Sequence, residues 1–219
     1  ARLGGLIPQA RTANENPGAL LRGRGDPSSR RGAYGRLVRP AGSEGDRIGP
    51  RFDAEVPAGG YSWWYIDAIS EDGQHGLTII AFVGSVFSPY YKKSGRGDPI
   101  DHSCINVAMY GPNARWVMTE RPCGDVQRSR SELTVGPSHV EWNGNALEIT
   151  IEERDTRLVY PFRRQVRGKV RVIPEALNPA SFALDGCENH IWHCMAPRAR
   201  IEVVMEELGI SWTGKGYFD

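Results

Sequence analysis

Residues 140–152 read Val140-Glu141-Trp142-Asn143-Gly144-Asn145-Ala146-Leu147-Glu148-Ile149-Thr150-Ile151-Glu152. Apolar and polar side chains alternate on both sides of Asn143-Gly144. A period of two places the apolar side chains on one face of a strand and leaves the other face in water. Asn-Gly between two alternating runs is the strongest short signal for a β-hairpin. These residues therefore predict two antiparallel strands of a half-buried sheet.

The same kind of pattern continues through the chain from Phe52 onward. Short β-branched and aromatic runs are separated by Gly, Pro, Asn and Asp, which is typical of strands and turns. No stretch keeps the period of about 3.6 residues that marks an amphipathic helix. The sequence therefore predicts an all-β fold, an antiparallel barrel or sandwich. The predicted strands are Tyr61–Ile69, Leu77–Phe87, Cys104–Tyr110, Arg115–Thr119, Glu132–Val135, Val140–Trp142, Leu147–Glu152, Val166–Val172, Ile191–Met195 and Ile201–Glu206.

The composition excludes some classes of protein. The 219 residues carry a net charge of +1, which gives no reason to expect a nucleic-acid partner. No apolar run approaches the roughly 20 residues of a membrane-spanning helix. Four cysteines are too few for a disulfide scaffold and indicate a reducing interior. The chain begins at Ala1 rather than at a methionine, so we expect a fragment of a longer protein.

Charge is distributed unevenly along the chain. Residues 1–51 contain ten arginines and four acidic residues, a net charge of +6, which leaves −5 for residues 52–219. The leading segment is rich in Arg and Gly and offers little to bury, so we expect it to be disordered. It is either a solvated leader or an electrostatic contact for anionic lipid or nucleic acid.

Residues 88–102 form an unusually long connection between two predicted strands. Loops of about fifteen residues in a small domain are usually functional or mobile. This one is either a simple connection or a lid or membrane-facing flap, and its aromatic and basic residues would suit a membrane surface. Those residues are Tyr90, Tyr91, Lys92 and Lys93.

Two aromatic groups could line a pocket. On the first predicted strand, Tyr61, Trp63 and Tyr65 share one face, which is either a wall of the core or a surface for a long apolar ligand. Near the end of the chain, Tyr217 and Asp219 also share a face, and the glycines before them suggest a tight turn. Asp219 is either a frayed end residue or an acid beside an aromatic wall. A carboxyl group in an apolar cavity is kept in its neutral form, which can donate a proton.

The segment Cys187–Cys194 has the ligand spacing C-x2-H-x2-H-C, which suggests zinc. On an extended strand, however, His193 and Cys194 project to opposite faces, so the four side chains would not converge. We therefore expect no metal here. The alternative is that His190 and Trp192, which share a face, point into a pocket.

Five blocks of sequence occur together in the order of a known family: residues 57–65 (PAGGYSWWY), 75–91 (HGLTIIAFVGSVFSPYY), 106–111 (NVAMYG), 190–200 (HIWHCMAPRAR) and 216–219 (GYFD). In these blocks the chain resembles the carotenoid 1,2-hydratases, also called hydroxyneurosporene synthases. The resemblance implies a lipocalin-like all-β architecture built from two related domains. It also implies a hydro-lyase that needs no cofactor and adds water to the terminal double bond of acyclic carotenoids such as neurosporene and lycopene.

The resemblance assigns the functional residues to His190, Trp192, Tyr217 and Asp219, and we expect Tyr61, Trp63 and Tyr65 to bind substrate. Asp219 would be the acid, Trp192 and Tyr217 would stabilise a carbocation, and His190 would position water. The alternative is a hydrophobic-ligand binder or cyclase-type relative without hydratase activity.

Two further expectations follow from the resemblance. Residues 52–219 would be the N-terminal domain, and a further domain would follow the Gly-Tyr-x-Asp motif, so we expect this chain alone to lack a wall of its pocket and to be inactive. Because the implied substrate is insoluble in water, we expect peripheral association with a membrane on its cytoplasmic side.

Overall fold

The computed structural model describes residues 49–154 and 165–219, together with the backbone of residues 36–38. In these residues the chain forms antiparallel strands and one short helix. The elements are β1 (Arg36–Val38), β2 (Ser62–Ser70), β3 (Gly76–Val83), α1 (Pro89–Lys93), β4 (Cys104–Tyr110), β5 (Arg115–Met118), β6 (Val126–Arg128), β7 (Glu132–Val135), β8 (Ser138–Trp142), β9 (Leu147–Arg154), β10 (Gln165–Pro174), β11 (Ser181–Ala183), β12 (Ile191–Trp192), β13 (Ala196–Met205) and β14 (Ile210–Phe218).

The predicted all-β, antiparallel class is confirmed. Each of the ten predicted strands overlaps an observed strand. The predicted strand Leu77–Phe87 is too long, because the chain turns away at Gly84, which has φ +74° and lies too close to the Gly60 carbonyl to carry a side chain. The strands β1, β6, β11 and β14 were not predicted.

The hairpin predicted from residues 140–152 is also confirmed. The strands β8 and β9 pair with Trp142 opposite Leu147, and Gly144 in the connection has φ +95°. The Asn143 carboxamide oxygen accepts hydrogen bonds from the backbone N–H groups of Asn145 and Ala146. This side chain closes the turn, as Asn commonly does in tight connections.

The main sheet has eleven strands in the order β5-β4-β3-β2-β14-β13-β10-β9-β8-β7-β6. Laid flat, eleven strands would separate the two edges by about 48 Å. The edge strands β5 and β6 are consecutive in sequence, however, and residues 119–125 between them reach at most about 29 Å even when fully extended. The sheet must therefore curl, and it forms a half-barrel.

The hydrophobic core lies on the concave face of this curled sheet. Side chains from strands near both edges, such as Val117 on β5 and Leu133 on β7, join one buried cluster with Trp64 and Ile66 of β2. The alternate residues of β2, Trp63 and Tyr65, therefore lie on the convex face. They pack there in a second, smaller cluster with Ile80, Phe82 and Cys104.

A smaller sheet contains β1, β11 and β12 in that order. Its strand β1 lies within the segment predicted to be disordered, so that prediction is wrong for residues 36–38, whose backbone pairs with Ser181–Ala183. Most of the rest of residues 1–51 lies outside the described residues.

The long connection at residues 88–102 is more ordered than predicted. It contains α1, capped by the Ser88 hydroxyl, and a 3-10 turn at Pro99–His102. Tyr91 is 2% exposed and its hydroxyl donates a hydrogen bond to the Gly60 carbonyl at 2.7 Å, whereas Tyr90 is 66% exposed. Tyr91 therefore anchors the segment and does not face outward. No helix among the described residues is long and apolar enough to cross a membrane.

Candidate active site

The convex face of the sheet carries Asp219 at the end of β14. Its backbone exchanges both hydrogen bonds with Tyr65 of β2, N to O at 2.8 and 3.0 Å. Phe218 points into the core, so its neighbours Tyr217 and Asp219 point to the opposite face, as predicted from their alternation. The register of β14 with β2 thus brings the acid beside the aromatic side chains of β2.

The carboxyl group of Asp219 is asymmetrically hydrogen-bonded. Its Oδ2 accepts two hydrogen bonds, from the indole Nε1 of Trp192 and from the hydroxyl of Tyr217, each at 2.7 Å. Its Oδ1 is buried and has no hydrogen-bond partner among the described residues. Neutral and charged carboxyl groups differ in that only the neutral form has an O–H donor. A proton on Oδ1 would leave Oδ2 free to keep both of its donors.

Tyr217 is held in its protonated form. Burial raises the pKa of Tyr217 far above its ordinary value, and the hydrogen bond to Asp219 raises it further. Its hydroxyl is therefore a donor to Asp219 across the working range of pH. The Trp192 indole N–H can only donate, so both neighbours of Oδ2 are fixed as donors.

His190 lies further from the acid. Its ring packs edge-on against Tyr61 and Trp63, with centroid separations of 5.8 and 6.2 Å. No hydrogen bond joins His190 to Asp219 among the described residues. The structure thus brings Trp192, Tyr217 and Asp219 into direct contact, and places His190 beside the predicted substrate-binding residues.

Two cavities meet at Asp219. The first, which we call the polar cavity, has a volume of about 320 Å³. The second, which we call the hydrocarbon cavity, has a volume of about 280 Å³. The polar cavity is lined by residues including Arg51, Tyr61, Trp63, Ser181, His190, Trp192, His193 and Asp219. The hydrocarbon cavity is lined by Trp63, Tyr65, Ile80, Phe82, Phe87 and Asp219.

Three residues of the hydrocarbon cavity, Ile80, Phe82 and Phe87, were missed from the sequence. The run Leu77–Phe87 is apolar at nearly every position, so alternation could not show which side chains face the core. The register supplies the answer, because Ile80 lies opposite Tyr65 and Phe82 lies opposite Trp63 on the convex face. That register is set by the pairing of β2 with β3 in the sheet and cannot be read from the run Leu77–Phe87 alone.

A larger cavity, of about 730 Å³, lies further along β2 and β14 and also touches Tyr217. Its lining includes the charged residues Asp67, Glu175, Arg198 and Lys215. A cavity lined by both signs of charge does not suit an apolar ligand. We therefore place the candidate site at Asp219.

The ligand spacing in Cys187–Cys194 does not form a cluster. His193 Nε2 is hydrogen-bonded to the Asn178 carbonyl at 2.6 Å, Cys187 is exposed and Cys194 is buried. No three His, Cys, Asp or Glu side chains converge as metal ligands in the part of the chain that the structure describes.

The fold and this geometry define a class of protein: a curled antiparallel sheet with an aromatic-lined carboxyl group on its convex face. The family model of the carotenoid hydratase CrtC matches residues 79–219. The chain belongs to this carotenoid hydratase family, which confirms the resemblance seen in its sequence.

Three curated relatives are similar to this chain, each named acyclic carotenoid 1,2-hydratase. The relative from Thiocapsa roseopersicina is 45% identical over 223 residues, which cover 100% of this chain and 54% of that protein. The relative from Rubrivivax gelatinosus is 47% identical over 176 residues, 78% of this chain and 42% of that protein. The relative from Cereibacter sphaeroides is 41% identical over 141 residues, 64% of this chain and 49% of that protein. The chain spans about half the length of the curated relatives it matches.

Proposed function

We propose that this chain carries the acid site of an acyclic carotenoid 1,2-hydratase, a hydro-lyase that adds water across the terminal C1=C2 bond without a cofactor. One observation carries the proposal: the Asp219 carboxyl group lies beside an apolar cavity, with one oxygen held by two donors and the other without a partner among the described residues. Family membership supports the substrate class.

The reaction must begin with protonation of the double bond, because an unactivated alkene offers no group that a base or nucleophile can attack. Asp219 donates its Oδ1 proton to C2, and the electron pair of the C1=C2 π bond forms the new C–H bond. C1 becomes a tertiary cation, a water oxygen bonds to it, and the water loses one proton. That proton returns to the Asp219 carboxylate, so the products are a tertiary alcohol and the original acid.

The aromatic residues divide into two groups by their contacts. Trp192 and Tyr217 use their polar atoms to hold Oδ2, so they orient the acid. Trp63 and Tyr65 line the hydrocarbon cavity together with Asp219, where their π faces are available to a developing cation. Such a contact stabilises a desolvated cation by about 2 kcal/mol. The cation-stabilising role expected of Trp192 and Tyr217 is thus proposed for Trp63 and Tyr65 instead.

The polar cavity supplies the water. His190, Ser181 and Tyr61 line it, and Asp219 borders it as well. A neutral imidazole has one nitrogen that accepts a hydrogen bond, so His190 can hold a water and take its proton after attack. The proton then returns to Asp219.

The substrate is insoluble in water and must come from a membrane, so we propose peripheral contact with a lipid surface. Phe87 and Tyr90 are 59% and 66% exposed, and Lys92 and Lys93 follow them on the surface. Aromatic and basic side chains together suit the interface of an anionic membrane. The four cysteines are free, which suits the reducing cytoplasmic side.

The test is Asp219→Asn in the intact protein, with hydration of lycopene and carotenoid binding measured separately. Removal of a general acid should lower turnover by about 100-fold or more, while binding persists. The matched control is Asp67→Asn. Asp67 is an exposed aspartate on β2, and it lies on the same face of that strand as Tyr65, the neighbour of Asp219. Near-wild-type turnover of Asp219→Asn would overturn the acid assignment. If no variant and no wild-type protein hydrates carotenoid while all bind it, the chain is part of a binder.

A further inference from the structure

A row of side chains crosses the convex face of the sheet and ends at Asp219. Ile80 of β3 lies opposite Tyr65 of β2, and Tyr65 in turn pairs through its backbone with Asp219. Adjacent strands are about 4.8 Å apart, which places Ile80 roughly 10 Å from Asp219 across the sheet. The second cross-strand pair, Trp63 with Phe82, lies beside this row.

The walls of the hydrocarbon cavity differ in kind from those of the polar cavity. Apart from Asp219, each described side chain that lines the hydrocarbon cavity is aliphatic or aromatic. Phe82 is fully buried and its ring packs edge-on against Trp63 at 6.1 Å and against Phe87 at 5.4 Å. Among the described lining residues, Trp63 and Asp219 are the two that border both cavities. The Trp63 ring therefore separates an apolar space from a polar one, and the acid reaches both.

The size of the hydrocarbon cavity restricts what it can hold. Its volume of about 280 Å³ is slightly smaller than the roughly 300–1,000 Å³ of pockets that enclose a drug-sized ligand. It can therefore take one end of a long hydrocarbon, and the rest must extend outside. Phe87, which is 59% exposed and also lines the cavity, marks the mouth.

We propose that the hydrocarbon cavity is the subsite for the branched terminal end of an acyclic polyene, which enters past Phe87 and stops against Ile80 with its end double bond at Asp219. The proposal rests on the proposed function for the identity of the reaction. Ile80 and Phe87 act here as specificity-determining residues: Ile80 limits the depth to which the chain end penetrates, and Phe87 borders the entrance. Neither residue takes part in proton transfer.

The experiment fills the cavity with Ile80→Trp in the intact protein and uses lycopene as the probe. Binding is followed by the shift of the polyene absorption spectrum on transfer from detergent micelles to protein, in the Asp219→Asn background, so that it does not depend on hydration. Displacement of even two buried methylene groups should weaken binding by about tenfold or more. In the wild-type background, the same substitution should raise KM more than it lowers kcat.

The matched control is Ile69→Trp. Ile69 lies on the convex face of β2, is 55% exposed and does not line the hydrocarbon cavity. The Ile69→Trp variant should bind lycopene as strongly as the Asp219→Asn protein into which it is introduced. Thermal melting of both variants shows whether either has unfolded.

A second variant protects the test against misfolding of Ile80→Trp. Phe87→Asp places a charge at the mouth, and because Phe87 is exposed the fold should tolerate it. We expect weakened lycopene binding here too. Wild-type binding by folded Ile80→Trp, or by Phe87→Asp, would overturn the subsite. Failure of the proposed function would look different, since binding would respond to both substitutions although no protein hydrated lycopene.

Discussion

Asp219 and Glu153 are two of the carboxyl groups that the described part of the chain shields from water, and their surroundings differ. Glu153 on β9 is 1% exposed, and both of its oxygens have partners: Oε1 accepts from the Ser138 hydroxyl at 2.9 Å, and Oε2 accepts from Arg121 at 3.2 Å. Within the part of the chain that the structure describes, Asp219 has partners on Oδ2 only. A fully satisfied buried acid is a structural group, whereas an oxygen left without a partner is available for a ligand.

The structural role of Glu153 has a pH dependence whose sign can be stated. Burial raises the pKa of Glu153 above its ordinary 4.5, although Ser138 and Arg121 oppose the shift. As the pH rises above 4.5, the unfolded chain loses this proton before the native protein does. The contribution of protonated Glu153 to stability is therefore fully present below pH 4.5 and is lost as the pH rises through the folded pKa.

Comparison of the wild type with Glu153→Gln isolates this effect. We expect the free energy of unfolding of the wild type, minus that of the variant, to fall as the pH rises above 4.5, by at most about 1.4 kcal/mol per pH unit. Urea unfolding at a series of pH values measures it. Glu152→Gln, a change at the neighbouring exposed position, supplies the background. A difference that rises with pH would contradict the direction of the shift.

At the scale of the element, β14 determines where the site lies. It lies between β2 and β13 in the sheet. Tyr217 lies near the end of β14, and Asp219 directly follows the strand. The two glycines in this segment were expected to form a tight turn, and that expectation is wrong. Gly214 and Gly216 lie within a continuous strand, and a Cβ atom at Gly214 would lie 2.0 Å from the Ile69 carbonyl oxygen. These positions lack side chains because neighbouring strands approach closely.

Gly214→Ala should therefore strain the pairing of β14 with β2. Because the blocking atom belongs to the backbone, it cannot move away as a side chain would, and we expect a loss of about 1–3 kcal/mol in the free energy of unfolding. Gly124→Ala is the control, since a Cβ atom there meets nothing within 4 Å, and it should change stability by less than about 0.5 kcal/mol. Urea denaturation of both variants provides the measurement. If Gly214→Ala and Gly124→Ala had the same free energy of unfolding, β14 and β2 would be able to move apart at Gly214 without loss of stability.

At the scale of the whole molecule, the curl of the sheet separates two apolar regions. The concave face is filled by the core, and the convex face carries the small cluster around Phe82 and the acid. The mouth of the hydrocarbon cavity at Phe87 is only three residues from Tyr90, and Lys92 and Lys93 follow. In the proposed membrane contact, a membrane-bound substrate meets the cavity at this aromatic and basic surface.

Flotation with vesicles containing anionic lipid tests this contact. The variant changes Phe87, Tyr90, Lys92 and Lys93 to Ser and leaves the buried Tyr91 intact. Loss of the two lysines alone should weaken binding by about 20- to 30-fold, at about 1 kcal/mol for each.

The flotation control is Lys169→Ser with Val204→Ser. These two exposed residues form a cross-strand pair on β10 and β13. The control should float as the wild type does. Undiminished flotation of the fourfold variant would exclude this surface.

Local periodicity was sufficient to predict much of this molecule. The hairpin at residues 140–152 and the shared face of Tyr217 and Asp219 follow from the period of two, because the direction of a side chain on a strand depends only on its immediate neighbours. The strand β14 itself was missed because Gly214 and Gly216 resemble turn residues, and their role depends on strands remote in sequence.

The placement of the acid required the folded chain. Trp192 reaches Asp219 from another sheet, and Tyr65 lies beside Asp219 although 154 positions separate them in sequence. Likewise, because β3 is apolar on both of its faces, its sequence could not show that Ile80 faces the cavity. Alternation thus specifies the faces of each strand. The neighbours of that strand are settled by long-range hydrogen bonding and by the burial of one face as the sheet curls.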